Sequence, residues 1–385
     1  MHPFNQTKKY AFMRIAKKLG IQIHERCSKK HPSSSVATIC IPDPNKFYRA
    51  LDPTKPLQSF SNAYTCGLWE SPCVSLITEI GSRWLMRRNQ IRLPHTVTKS
   101  SKINARRNII FHYDHNPKFY ANFLDKNMHY SCAIFPKNAS NYSKDTSDTE
   151  LEEAQNAKAD SLLNMLQGSS ALHILDLGCG WGAMSIYLAQ KGHHVDALTI
   201  SPTQAEYVRS KLRNCPKLSQ NLKVQESDFS TITNTYDAIV SVEMIESIGK
   251  DRISELFEVI SNSLNSEGRL ILQVIVQSAQ RPNRKKQTWI QENVFPGGYI
   301  PTLQEMIDIP LNYGLTPIKA LPIGRHYVRT LQYWKDNFIS KDQHYYDKLP
   351  EKEKRKWQYY FSYCEGGFRS GYLNVWQLCY TKEVS

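Results

Sequence analysis

Chemistry first enters this chain at residues 173–182, where the apolar run Ile174-Leu175-Asp176-Leu177 gives way to three glycines at alternate positions, Gly178, Gly180 and Gly182. Without side chains the backbone there can approach a bound ligand closely. The amphipathic run 183–191 then supplies a helix whose first amides face the same ligand. The third glycine follows the second by two residues, whereas the dinucleotide fingerprint Gly-x-Gly-x-x-Gly requires three, so the spacing argues against hydride chemistry. A βα turn with no ligand is the plain alternative, and the strand before it and helix after it count against that reading.

This loop resembles the first motif of S-adenosylmethionine methyltransferases. The elements that must position it alternate: strands at 172–176, 194–200, 222–226, 238–242 and 270–275, with helices between them. That alternation predicts an α/β fold with a parallel, doubly wound sheet and ligands at the carboxyl ends of its strands. With the resemblance, it becomes a Rossmann-like class I methyltransferase sheet carrying a small N-terminal helical domain. Residues 277–335 turn irregular around Phe295-Pro-Gly-Gly-Tyr-Ile-Pro301 and read as an insertion over the active site. The apolar alternation 372–380 reads as an antiparallel closing strand.

The net charge of +14 is unevenly placed. Residues 1–107 hold 19 Lys and Arg against 5 Asp and Glu, while 108–385 hold 30 of each, so the first segment carries all of the excess. We divide the chain accordingly into a basic helical N-terminal domain, 1–107, and a catalytic domain, 108–385, joined by a polar connector at 96–107. A basic segment attracts an anionic bilayer at ~1 kcal/mol per juxtaposed Lys or Arg. No nucleic-acid motif or stacking pattern accompanies it, so an anionic lipid surface is the expected partner and nucleic acid is not. No apolar run reaches the ~18 residues of a membrane span, and the basic start lacks a cleavage site. The nine cysteines are scattered without CxxC pairs, which favours free thiols in a reducing compartment over zinc or a disulfide framework. The expected location is cytoplasmic, peripheral to the inner face of the membrane.

A family resemblance now covers nearly the whole chain. Tyr64-x-x-Gly-x-Trp69, His112-Tyr-Asp114, Tyr130-Ser-Cys132, Leu151-Glu-Glu-Ala-Gln155, the glycine loop, Thr199-Ile-Ser-Pro-Thr-Gln204, the run 236–246, Phe295-Pro-Gly-Gly298, His326-Tyr327 and Tyr363-Cys-Glu-Gly-Gly-Phe-Arg369 occur in order. Together they resemble the cyclopropane fatty acid synthases, which use S-adenosylmethionine to modify double bonds of unsaturated phospholipid acyl chains. For the cofactor the resemblance implies Tyr130 and Ser131 at the methionine carboxylate, Asp176, Gly178 and Gly180 in the loop, and Thr199, Ile200, Ser201 and Gln204 toward the ribose. It implies Asp228 and Phe229 at the adenine edge and face. Asp196, an acidic residue on the second strand, falls three positions early for the ribose.

An alkene is a weak nucleophile, so it must be held against the sulfonium methyl in a dry tunnel, and the cation left by methyl transfer needs stabilising. Aromatic faces suit that task, with Tyr130, Tyr299, Tyr327 and Phe361 as candidates. Closing the ring needs a base. The resemblance implies a bound bicarbonate held by Cys132, Glu246 and Tyr327 with a backbone contact at Ile275. Where better-known members carry two histidines, this chain has Ser247 and Gln273; Gln273 still offers an amide donor to an anion. A Gln there also resembles a subgroup whose products include methyl-branched or methylene chains. The other readings are a small-molecule N-methyltransferase of the same fold and a lipid-binding protein without catalysis. A homodimer is left open.

Overall fold

A computed structural model describes residues 3–27, 36–88, 116–136, 148–166, 170–278 and 288–382. The connector 96–107 with the boundary at 107/108, the His112-Tyr-Asp114 motif and part of the irregular stretch, 279–287, lie outside the described residues.

The expected strands form as β3 (His173–Leu177), β4 (His194–Thr199), β5 (Leu222–Glu226), β6 (Tyr236–Val242), β7 (Leu264–Gln277) and the closing β9 (Leu373–Lys382), joined by an edge strand β8 (Leu315–Pro322). Their order is β5-β4-β3-β6-β7-β9-β8. The first five strands of that row run parallel, and β9 is antiparallel to both β7 and β8. Near-continuous apolar runs make this possible, since β3 and β7 are covered on both faces and Ile174, Leu175, Ile271, Leu272 and Val274 are buried. The chain leaves β3 toward β4 and β5 on one side, then returns to β6 and β7 on the other. That reversal opens a crevice at the carboxyl ends of β3 and β6, where doubly wound sheets bind ligands.

The N-terminal segment is not purely helical. Besides helices Pro3–Lys18, Pro44–Ala50, Pro56–Thr65 and Val74–Arg88, it holds two short parallel strands, β1 (Gln22–Glu25) and β2 (Thr38–Ile41). Cys27 and Cys40 are disulfide-bonded across this pair, which corrects the expectation of free thiols at those two positions; seven other cysteines are free. β1 and β2 bring their backbones into register, and the spacing of the two cysteines in sequence gave no CxxC signal for it.

Helix Glu351–Arg369 joins this segment to the rest. Ser61 and Tyr359 hydroxyls meet at 2.7 Å, and Thr78 donates to the Ser362 carbonyl at 2.8 Å. Arg355 donates to the carbonyls of Tyr64 and Trp69 and lies 4.5 Å over the Tyr64 ring. Gly366 faces helix Val74–Arg88 so closely that a Cβ would come within 2.6 Å of the Glu79 amide. The motifs around Tyr64 and Glu365 therefore fasten helices together.

Candidate active site

The loops after β3, β4, β5 and β6 open on one cavity. Tyr130, Ser131, Asp176, Gly178, Gly180, Thr199, Ile200, Gln204, Asp228 and Phe229 all line it. Gly178 and Gly180 take φ of 80° and 55°, the left-handed region that glycine enters without strain. A Cβ on Gly178 would fall 2.8 Å from Met244 Cβ. Gln204 accepts a hydrogen bond from Thr199 Oγ1 at 2.9 Å through its own oxygen, which leaves its amide nitrogen as the donor. Ser201 does not line the cavity. Its hydroxyl accepts from the Gln204 amide and caps helix Pro202–Arg213, a correction to its expected contact with the cofactor. Asp196 is committed elsewhere, to His173 and the Tyr236 hydroxyl.

At the adenine end the structure adds a residue that sequence reasoning missed. Arg252 grips Asp228 with two nitrogens, at 2.9 and 2.7 Å, and its guanidinium lies 4.0 Å over the Phe229 ring. Burial pushes the Asp228 carboxyl up, but Arg252 and Ser230 outweigh it and hold the group well below the usual carboxylate range. Asp228 is thus an oriented, ionised acceptor, and one face of Phe229 is already covered. At the end of β3, burial pushes the Asp176 carboxyl up to about 6 against the hydrogen bond from Ser185 and the charge of Lys158.

The residues expected around an anion do converge, and the group at their centre belongs to the chain. Glu243, directly after β6, places Oε1 2.9 Å from the Cys132 amide and 2.9 Å from Gln273 Nε2, while Oε2 accepts from the Tyr327 hydroxyl at 2.7 Å. Its backbone φ is 52°, an uncommon conformation for a residue with a side chain. Such strain costs of order 1–3 kcal/mol and is found where surrounding structure over-determines it. Cys132 serves through its backbone, since burial raises its thiol well above the usual value and the sulfur points to backbone carbonyls.

Glu246 accepts from the Ile275 amide through Oε1, and its Oε2 is buried with no partner among the described residues. Burial, then the charge of Glu243, push its carboxyl up to about 8, so it is protonated at neutral pH. Burial also raises Glu243, but the Cys132 amide, Gln273, Tyr327 and the charge of Lys158 oppose the shift. Like charges in a dry place cannot both persist, and three donors converge on the oxygens of Glu243 against one on Glu246, so Glu243 is the carboxyl built to hold the charge. Gln273 is oriented from behind: Gln377 Nε2 donates to its oxygen at 3.0 Å, and Ser161 donates to Gln377 at 2.6 Å. Ser247 lines the cavity, with its hydroxyl turned to the Met244 carbonyl.

Among the expected aromatic lining, Tyr130 faces the cavity and packs with Tyr120, Phe123 and Trp334. Phe361 is instead fully buried among Phe123, Phe338 and Trp357, and the Tyr299 hydroxyl is held by Glu305. Both are corrected to structural roles.

A glycine loop at the switch point, an oriented amide on the second strand, an ionised acceptor with a half-covered ring after the third, and a polar far end at Ser131 fit the parts of S-adenosylmethionine. Fold and cavity together define a class I S-adenosylmethionine-dependent methyltransferase. The chain belongs to the mycolic acid cyclopropane synthetase family, whose model matches residues 100–378. It is 34% identical over 287 residues to the tuberculostearic acid methyltransferase UfaA1 of Mycobacterium tuberculosis, covering 74% of this chain and 66%, just under two thirds, of that protein. It is 27% identical over 364 residues to the cyclopropane-fatty-acyl-phospholipid synthase of Escherichia coli, covering 91% of this chain and 89% of that one. Among solved structures, mycolic acid cyclopropane synthase CmaA1 complexed with SAH and CTAB superimposes with a TM-score of 0.64 at 27% identity, covering 72% of this chain and 98% of that chain.

Proposed function

We propose that this protein methylates a double-bond carbon of unsaturated phospholipid acyl chains at an anionic membrane surface, with the Glu243 carboxylate as the base in place of a bound bicarbonate. S-adenosylmethionine supplies the methyl group as an electrophile. The alkene π pair forms the new C–CH₃ bond as the sulfonium–methyl bond breaks, and the neighbouring carbon becomes cationic. Glu243 then accepts a proton from the new methyl group, and the freed C–H pair closes a cyclopropane ring. Adenosylhomocysteine and a protonated Glu243 remain.

The support is one arrangement: a buried carboxylate held by the Cys132 amide, Gln273 and Tyr327, which are residues expected to hold the anion. A fixed negative charge beside a forming cation also stabilises it without reorganisation. Glu246, neutral, is a filler that tolerates the charge of Glu243.

A second reading has its own support in the likeness to a tuberculostearic acid methyltransferase and in Gln273. If a hydride shifts onto the cationic carbon before Glu243 acts, the cation moves to the methyl-bearing carbon. Loss of a methyl proton then leaves a methylene branch, a C=CH₂ group on the open chain, and saturating that to a methyl branch requires an added reductant.

The test is incubation of the protein with labelled S-adenosylmethionine and unsaturated phospholipid vesicles, with and without bicarbonate, followed by mass analysis of the acyl products. The wild type should work equally well without bicarbonate. Glu243→Gly, which suits the positive φ and empties the carboxylate's place, should be inactive and partly rescued by bicarbonate. A wild type that needs bicarbonate, with Glu243→Gln still active, returns the base to a bound anion. Methylation only of added amines sinks the lipid reading.

A further inference from the structure

Lys158 is 1% exposed, on the inner face of helix Asp148–Leu163. Its ammonium donates to Ser131 Oγ at 3.1 Å, while Gln155, one turn earlier on the same face, donates to the Ser131 carbonyl at 3.0 Å. An ammonium carries three donors, and a buried one with a hydroxyl as its hydrogen-bond partner is poorly compensated. The nearby carboxylates are engaged elsewhere: Asp125 with His129 and two backbone amides, Asp176 with Ser185, and Glu243 with its three donors. No salt bridge to Lys158 is found among the described residues.

His129 borders the same cavity as Ser131 and Lys158. Its Nδ1 meets Asp125 Oδ2 at 2.9 Å, and its buried Nε2 has no partner among the described residues. An ionised Asp125 accepts the Nδ1 proton, so Nε2 of the neutral ring is an acceptor. Burial and the charge of Lys158 both lower His129, which keeps the ring neutral. Burial brings Lys158 down to about 8, with Glu243, Asp125, Cys132 and Asp176 opposing, and it stays charged at neutral pH.

A buried cation donor and a buried neutral acceptor on one wall match a zwitterion. We propose that Lys158 and His129 recognise the amino-acid end of S-adenosylmethionine, Lys158 with Ser131 binding its carboxylate and His129 Nε2 accepting from its α-ammonium. This rests on the methyltransferase reading of the cavity and names the residues that grip the end of the cofactor farthest from the adenine.

Calorimetry on the full chain tests it with two probes, S-adenosylhomocysteine and 5′-methylthioadenosine, which keeps the nucleoside and thioether but lacks the amino-acid end. Lys158→Met should weaken adenosylhomocysteine at least tenfold and leave methylthioadenosine unchanged. His129→Phe should do the same to a smaller degree. Equal losses for both probes, or none, overturn the proposal. Should Lys158→Met not fold, Lys158→Gln is the second variant. Independently, the wild type must bind adenosylhomocysteine at least tenfold more tightly than its α-carboxamide, and equal binding overturns the proposal without any variant. A wild type that binds neither nucleoside probe would instead refute the cofactor reading itself.

Discussion

Gln273 and Glu243 are joined twice: the side-chain amide of Gln273 donates to Glu243 Oε1 at 2.9 Å, and the Gln273 carbonyl accepts from the Glu243 backbone amide at 2.7 Å. The backbone bond fixes the chain where it leaves β6 and the side-chain bond aims the carboxylate. Which end of the Gln273 amide faces Glu243 is set by Gln377, whose own oxygen is occupied by Ser161, and by the Cys132 carbonyl, which accepts from the same Nε2 at 3.1 Å.

Replacing Gln377 by Leu leaves the Gln273 oxygen buried without a donor and loosens the amide that aims at Glu243. A hydrogen bond to a charged group is worth ~1.5–3 kcal/mol, so turnover should fall roughly 10- to 100-fold. The acid limb of the pH–rate profile should move upward, because Glu243 loses a donor that stabilises its charged form. Cofactor affinity should not change; if it falls as far as turnover does, Gln377 supports the fold and not the base. Gln273→His, which can still donate through a ring N–H, should keep activity.

The two carboxyls should respond differently to the same substitution. Glu243→Gln removes the proton acceptor and should cost at least the lower end of the ~10²–10⁴-fold typical of general-base assistance. Glu246→Gln imitates a carboxyl that is already protonated, can still accept from the Ile275 amide, and should lose far less. Product formation from labelled cofactor measures both, and a reversed ranking would make Glu246 the base.

Glu246 also sets a pH dependence of stability. Burial and the Glu243 charge hold its folded pKa at about 8, above the ordinary 4.5 of a glutamate, so the folded protein keeps a proton that the unfolded chain has lost across that window. Stability is full below about pH 4.5 as far as this group is concerned, and falls as pH rises toward 8. Each unit is about 1.4 kcal/mol, giving a penalty on the order of a few kcal/mol at alkaline pH. Thermal unfolding of Glu246→Gln should therefore match the wild type near pH 4.5 and exceed it at pH 8. Parallel curves at all pH values would show that the carboxyl titrates normally.

Much of this was legible in the residues. β3 and β4 follow from largely apolar runs ending near glycine or serine, β5 from the alternation of Leu222 and Val224 with polar residues, and ten of eleven expected cofactor residues line one cavity. β8 was not legible, because an edge strand containing Pro317 and Lys319 and exposed along most of its length has no apolar alternation to read. Glu243 lies inside the run 236–246, but a positive φ that swings its side chain into a ring of donors leaves no trace in spacing, whereas Glu246 is implied by the resemblance itself. Gln377 and Lys158 did leave one. A glutamine within the apolar alternation of the closing strand, and a lysine one turn after Gln155, are polar groups on faces that must be buried.

The glycine loop makes a graded prediction. An alanine at Gly180 meets only strain from φ 55°, since its Cβ would lie 4.0 Å from Gln204 Nε2. An alanine at Gly178 adds a collision with Met244, the neighbour of Glu243. Gly180→Ala should thus weaken cofactor binding, whereas Gly178→Ala should weaken binding and also depress turnover at saturating cofactor. Equal effects on both constants in both variants would leave Met244 without a role in placing the base.

The last expectation concerns the membrane. Among the described residues no helix is long and apolar enough to cross a bilayer, and the membrane contact proposed above is one of surface charge and exposed apolar groups. Helix Pro3–Lys18 offers both: Tyr10 is 73% and Ile15 49% exposed, and Arg14, Lys17 and Lys18 are exposed beside them. Positions 10, 14 and 17 share a helical face, with 11, 15 and 18 adjoining it. Two forces then act, and salt separates them. The cationic part, at ~1 kcal/mol per residue near an anionic surface, should fade as the Debye length shrinks from ~10 Å at 0.1 M to ~3 Å at 1 M. The apolar part, up to ~1.5–3 kcal/mol per fully buried side chain, should persist. Vesicle sedimentation should show Arg14→Gln with Lys17→Gln and Lys18→Gln losing up to ~100-fold at low salt and little at high salt. Tyr10→Ser with Ile15→Ser should lose a similar factor at both. Equal binding of the wild type to neutral and anionic vesicles at every salt concentration would remove charge as the cause of attachment.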